Sequence, residues 1–428
     1  MNKIMARLQR FKRIRKIHTI ISQETIKPSS PTPSHLKIHK LSLIDYFAQH
    51  THMPWIFFYQ NYKNGDINNL KKSLSQCLKQ YHPFAGRFLS PTAHHIDCND
   101  QGVEFLEALI DSPLDDFILK KEQDQTLDQL IPNGLDCNIE KTRRTMLEVQ
   151  LNHFACGGVA VTVSVSHKIA DGFTMLSLCN HWAALTCGRS PINPIFVNLP
   201  VTKNLQIPDY KLMEACKVEY ANKIFMFPNS KLNELKKKIN AMGTTRVNPT
   251  RVESLTYLLF KCAVSAATTK SGSFHPSNLC QAVNLRNKTS TDYSELMAGN
   301  LTVMALAKSA DSGRIELNHV ITGLRKEILE VQDVKKLGEN LLNSVLEFTN
   351  GCPTYMFTSL CRFPFYQVNF GWGKPVRVML RTVNPGNYFI LMDTPCGDGI
   401  EVTVQLEKDD MVVFQNDNKI LEYATQDA

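Results

Sequence analysis

Between positions 159 and 166 the chain sets Val159, Val161, Val163 and Val165 against Ala160, Thr162, Ser164 and Ser166. That period of two predicts a β-strand with one strongly apolar face. Beyond it, Phe173, Leu176 and Ala183, and offset from them Met175, Leu178, Trp182 and Leu185, recur at helical spacing. A strand thus turns into a helix within Ser166-His167-Lys168-Ile169-Ala170-Asp171-Gly172. His167 continues the valine side of the strand. Asp171 falls at the helix N-terminus, where peptide dipoles favour an ionised carboxylate.

The same patterning organises the rest of the chain. Asn69, Leu70, Ser73, Leu74, Cys77 and Leu78 predict a helix ending near Tyr81, and Ile96 is expected to begin a hairpin turning at Asn99-Asp100-Gln101-Gly102. From Gly188 to about Tyr210, Pro191, Pro194, Pro200 and Pro208 break any regular element, so 188–210 reads as an extended linker. Past it, Leu232, Leu235, Ile239 and Met242 mark an amphipathic helix stopped by Gly243. Thr250-Arg251-Val252-Glu253 is a capping box opening a long apolar helix through Leu255, Leu258, Leu259 and Cys262. Domains are therefore expected at 16–187 and 211–428, after a basic leader at 1–15.

Composition narrows the picture. A chain of 428 residues is too long for one ordinary core, and 43% hydrophobic with 21% charged suits a globular protein. No apolar run is long enough to span a membrane. Twelve cysteines without a C-x-x-C pair point away from zinc and toward free thiols. Lys3, Arg7, Arg10, Lys12, Arg13, Arg15 and Lys16 supply seven of the eight net positive charges, so the body of the chain is no nucleic-acid binder. The leader reads as a disordered tail or, alternatively, a targeting segment.

A histidine at a strand end can stay neutral near pH 7 and accept a proton, yet H-x-x-x-D alone is weak evidence of a site. A metal set of His153, His167 and Asp171 has suitable donors but no characteristic spacing. Ser166 as a nucleophile lacks the G-x-S-x-G elbow.

The rarer string Asn369-Phe370-Gly371-Trp372-Gly373-Lys374-Pro375 changes the weighting. With His167-x-x-x-Asp171 it resembles the paired signature of the BAHD acyltransferases, plant enzymes that move an acyl group from a coenzyme A thioester to an alcohol or amine. Pro28-Ser29-Ser30-Pro31, Tyr81-His82-Pro83-Phe84-Ala85-Gly86-Arg87, Cys156-Gly157-Gly158 and Gln281-Ala282-Val283-Asn284-Leu285-Arg286 resemble family segments in family order. The likeness covers about residues 16 to 428 and is nearest to the vinorine synthase-like branch. One departure stands out: the second motif begins in the family with Asp and here with Asn369.

The resemblance implies two similar α/β domains of the chloramphenicol acetyltransferase type, with mixed sheets and flanking helices. They would be joined by a crossover loop, with a solvent channel at their interface and residues 363–380 packing back toward the first domain. It implies His167 as general base, and Asp171 paired with Arg286 as architecture. It further implies Thr250, Gly371 and Trp372 at the coenzyme, with the Trp372 loop beside the thioester. An acyl-CoA, acetyl-CoA in the first instance, would be co-substrate, with no resident cofactor and no metal. The acceptor would be an alkaloid alcohol; a terpenoid alcohol and donors such as malonyl- or tigloyl-CoA are alternatives, as is a non-catalytic binding protein on the same fold. The enzyme is expected to be monomeric and cytoplasmic.

Overall fold

The computed structural model describes residues 17–425 apart from 49–50, 63–66, 90–93, 121, 123–124, 135–144, 197–217, 243–247, 288–293, 310–314, 332–350 and 382–384. The leader at 1–15, most of the 188–210 linker and the helix stop at Gly243 lie outside the described residues.

Two six-stranded mixed sheets carry the fold. In the first, strands run in the order His18–Ile26, Val103–Ile110, Leu147–Phe154, Val159–Ser166, His52–Tyr59 and Arg377–Leu380. Its last member comes from the far end of the chain and pairs antiparallel with His52–Tyr59, Leu380 opposite Trp55. The second sheet runs Tyr220–Pro228, Gly399–Glu407, Asn387–Asp393, Thr354–Ser359, Asn278–Asn284 and Thr302–Lys308. Each sheet contains parallel neighbours, such as Val103–Ile110 beside Leu147–Phe154 and Asn278–Asn284 beside Thr354–Ser359.

The valine face of Val159–Ser166 packs with Trp55, Phe57 and Tyr59 under the helices Ile67–Gln80 and Gly172–Thr186. All eight residues of that strand are buried, its polar side included. That side is not solvated: Thr162 Oγ1 donates to the Leu130 carbonyl at 2.6 Å, and Asn152 Nδ2 to the same oxygen at 3.0 Å. Buried polar groups so paired avoid the desolvation cost of an unmet hydrogen bond. Trp182, fully buried, is fixed by Nε1 donating to the Leu70 carbonyl at 3.0 Å. The second core forms where Asn229–Met242, Arg251–Ser271, Leu317–Val331 and Lys408–Phe414 cover the inner face of the second sheet.

The halves interlock. Leu43 and Ile44, on the short helix Leu43–Phe47, insert into the second core, while Ile390 and Met392 of the second sheet pack with Trp55 and Phe365 in the first. Arg377 Nη2 and Glu401 Oε2 are 2.7 Å apart between the sheets.

One expected element is different. The segment Asn99–Gly102 does take positive φ at Asp100 and Gly102, 58° and 92°. The strands it joins, however, enter different sheets: His95–Asp97 pairs with Ile38–Lys40, and Val103–Ile110 with His18–Ile26. It is a crossover between sheets instead of a hairpin, because Gly102 packs against the Ile26 carbonyl and steers the chain onto that strand.

Candidate active site

The strand Val159–Ser166 ends one residue before His167, whose N–H donates to the Thr51 carbonyl at 2.8 Å. A tight turn follows, and Asp171 caps the helix Gly172–Thr186 by accepting the Thr174 N–H at 2.9 Å. Leu360 of the second half packs over the turn at Gly172, where an added Cβ would meet its methyl at an ordinary contact distance of 3.5 Å.

Asp171 faces away from His167. Its Oδ2 accepts Arg286 Nη1 at 2.7 Å, the Leu301 N–H at 3.0 Å and Thr302 Oγ1 at 3.1 Å. Arg286 is equally committed: Nε donates to the Met297 carbonyl at 2.9 Å, and Nη2 to Thr174 Oγ1 at 2.9 Å and to the Gly299 carbonyl at 3.0 Å. Its guanidinium lies 4.7 Å from the Phe173 ring centre. Burial alone would raise the Asp171 pKa, but the Arg286 charge and these hydrogen bonds outweigh it and hold the carboxyl below its ordinary value. The pair ties the first domain's turn to the second domain's loop 297–302.

His167 is left for chemistry. Its side chain is partly exposed, yet its Nδ1 is buried without a hydrogen-bond partner among the described residues. Burial lowers its pKa below the ordinary histidine value, opposed by its own carbonyl and, more weakly, by Asp171 and Asn300. The ring is therefore neutral at pH 7 and able to take a proton. Next to it, Lys168 Nζ donates to the Tyr46 carbonyl at 2.7 Å, and burial pulls its pKa down to about 8 against the pull of Asp45.

His167, Asp171 and Arg286 are thus brought together, and the other candidates are not. Thr250 caps Arg251–Ser271, accepting the Glu253 N–H at 3.1 Å while Glu253 Oε2 accepts the Thr250 N–H at 2.7 Å. Glu253 also holds Arg325 at 2.6 Å. Thr250 is exposed and so free to meet a ligand.

Gly371 and Trp372 do not flank the base, contrary to the expected loop beside the thioester. Trp372 is 4% exposed and packs edge-to-face on Tyr59 and Tyr62, with ring centres 5.5 and 5.0 Å away. Tyr59 lies opposite Val159, whereas His52 lies opposite Ser166, at the His167 end. Seven residues of strand at about 3.3 Å each put the loop about 23 Å from the base. Its neighbours agree: Phe370 stacks edge-on against Trp182 at 4.7 Å, and Cys187 Sγ donates to the Asn369 carbonyl at 3.3 Å, both at the far end of the helix that Asp171 caps. Trp372 is thus a packed indole that joins strand and helix, while Gly371 and Gly373 on either side of it are exposed. Asn369 Oδ1 accepts the N–H groups of Gly371 and Gly373 at 2.8 and 3.0 Å, a role an Asp carboxylate could also fill. Positive φ of 101° and 92° explains glycine on both sides of the indole.

The alternative metal set also fails to assemble. His153 sits opposite Val159 and contacts Glu107 at 3.6 Å, a strand length from His167. A residue not read as functional does reach His167: Asn300, which binds its backbone carbonyl and in turn binds Asp45. The only local signal was the Ser42-Leu43-Ile44-Asp45 capping box.

Two interlocked mixed-sheet domains, with a partly exposed histidine at the turn where they meet, suit a two-domain acyltransferase. The chain belongs to the BAHD acyltransferase family: residues 16–421 match the model described as the Transferase family. Over 426 residues it is 34% identical to 17,18-epoxy-17-hydroxycur-19-ene N-malonyltransferase of Strychnos nux-vomica, covering 95% of this chain and 90% of that one. It is 32% identical over 417 residues to stemmadenine O-acetyltransferase of Catharanthus roseus, covering 93% and 96%. The crystal structure of vinorine synthase superposes with a TM-score of 0.82 at 29% identity, covering 96% of this chain and 99% of that one. The protein is an acyltransferase of specialised metabolism, and the family's co-substrate is an acyl-coenzyme A. Among the described residues no helix is long and apolar enough to cross a membrane.

Proposed function

We propose that this protein transfers an acetyl group from acetyl-CoA to a hydroxyl of an alkaloid, with His167 as general base in a ternary complex. The observation that carries this reading is a neutral, partly exposed imidazole four residues before Asp171, a carboxylate wholly occupied by Arg286, Thr174 and the loop 297–302. An alcohol is a poor nucleophile while protonated, whereas a thioester is already activated. His167 removes the hydroxyl proton as the oxygen attacks the thioester carbonyl. The tetrahedral intermediate then collapses, the carbon–sulfur bond breaks, and the imidazolium returns its proton to the departing thiolate. No covalent enzyme intermediate is needed. Asp171 and Arg286 keep the turn rigid and take no proton.

The exposed N-terminus of Arg251–Ser271, with Thr250 at its cap, is the proposed contact for a coenzyme phosphate, since such ends present free N–H groups to anions. The protein acts as a cytoplasmic monomer in this reading. The Strychnos N-malonyltransferase supports malonyl-CoA as the second donor to test.

The test is thiol release from acetyl- and malonyl-CoA with a panel of alkaloid and terpenoid alcohols that includes stemmadenine. Products are identified by mass spectrometry, with His167→Ala alongside. Transfer to an alkaloid alcohol that vanishes in the variant supports the reading. Transfer only to terpenoid alcohols, or coenzyme binding without turnover, sinks it.

A further inference from the structure

We infer that Asn300, carried by the second domain, is a positioning residue that bolts the first domain's His167 in place through its backbone, with Asp45 as the anchor of the bolt. This rests on the general-base reading of His167.

Asn300 Nδ2 donates one hydrogen to the His167 carbonyl at 2.7 Å and the other to Asp45 Oδ1 at 2.8 Å. A side-chain amide has two donors, and both are spent here. The Asn300 N–H adds a longer contact to Asp45 Oδ1, 3.3 Å. Asp45 is itself immobile: its Oδ2 accepts the Ser42 N–H at 2.7 Å, its own N–H donates to Ser42 Oγ at 3.1 Å, and Leu43 and Ile44 beside it are buried in the second core. Asn300 is immobile as well, since the next two residues, Leu301 and Thr302, both bind Asp171. Asp45 and Asn300 are each 2% exposed, so water does not compete for the bond between them.

The consequence concerns the ring. Among the described residues His167 Nδ1 has no hydrogen-bond partner, and the residue is held at its N–H by Thr51 and at its carbonyl by Asn300, so its main chain aims the imidazole. The base comes from one domain and its bolt from the other. Domain register therefore sets where the proton acceptor sits, and a base displaced by about 1 Å loses on the order of 100-fold in rate.

A swap separates positioning from simple stability. Asn300→Asp sets two carboxylates face to face and removes both donors. Adding Asp45→Asn restores one amide–carboxylate bond between the positions, while the His167 carbonyl still lacks its donor. The probe is diethyl pyrocarbonate, with the labelling rate of His167 followed at pH 7 by peptide mass spectrometry, together with the melting temperature and, for the alcohol that accepts acetyl in the panel, kcat and KM.

Asn300→Ala is expected to label His167 several-fold faster and to lower kcat about 100-fold with KM for acetyl-CoA little changed. The double exchange should regain melting temperature over Asn300→Asp but keep the fast labelling and low kcat. Recovery of slow labelling and kcat along with stability in the double exchange overturns the proposal, as does unchanged labelling in Asn300→Ala. A dead His167→Ala beside unchanged Asn300→Ala overturns the bolt and leaves the base reading standing. Full turnover in His167→Ala overturns the base reading and, with it, the purpose of the bolt.

Discussion

Arg286 Nη1 lies 2.7 Å from Asp171 Oδ2, and both side chains are almost fully buried, at 1% and 3% exposure, although the residues are 115 positions apart. The pair closes the two domains over the turn that carries His167. Replacing Arg286 by Ala leaves a carboxylate buried without its cation, which costs about 3–5 kcal/mol. Chemical denaturation should show that loss, and the remaining folded enzyme should lose rate because the turn loosens. Arg286→Lys should recover little, since one ammonium cannot span Asp171, Thr174 and the carbonyls of 297 and 299 together.

Acid should weaken this fastening in a defined window. The Asp171 pKa is lowered in the folded state, so its contribution to stability is complete above the ordinary Asp value and is lost as pH falls through the lower, folded value. In Asp171→Asn that part of the acid-limb slope of unfolding free energy against pH should be missing.

Histidines act at higher pH and with their own sign. Burial, with His82 nearby, pushes the partly exposed His39 down to about 4, and the folded state therefore resists its protonation. Below the unfolded value of about 6.5 the unfolded chain binds the extra proton, so stability should fall from pH 6.5 toward 4, by about 2 kcal/mol for this ring after allowing for its partial exposure. Thermal melts of His39→Gln across that range should be flatter. His167 is lowered too, so the acid limb of kcat/KM should lie below pH 6.5, with activity level through neutrality.

The Trp372 loop yields the opposite signature. Trp372→Ala should cost about 3–5 kcal/mol of stability, yet KM for acyl-CoA should hold at temperatures where the variant is folded. A rise in that KM without loss of stability would return the loop to the coenzyme.

Asn369→Asp puts a charged acceptor before the same Gly371 and Gly373 N–H groups. It should raise stability by about 1 kcal/mol and leave kcat unchanged. Asn369→Ala should lower stability by a similar amount.

The sequence alone determined what nearest neighbours along the chain decide. Alternating valines read out the strand Val159–Ser166, helical spacing the helix after Asp171, and the capping box the start at Thr250, because each depends on contacts within about four residues. Motif likeness added the Asp171–Arg286 pair, which no local rule contains. Tertiary structure alone decided the rest. Periodicity says that one face of a strand is covered but not what covers the other, so the burial of Thr162 and Asn152 was hidden. A turn rich in Asn, Asp and Gly says that the chain reverses, not which sheet receives it, and Asp100–Gly102 sends it to a different one. Gly-Trp-Gly fits a tight turn as well as a ligand loop, and only the packing of Trp372 on Tyr59 chose between them. Asn300 and Asp45 are 255 residues apart, and a hydrogen bond over that separation exists only once both domains have closed around His167.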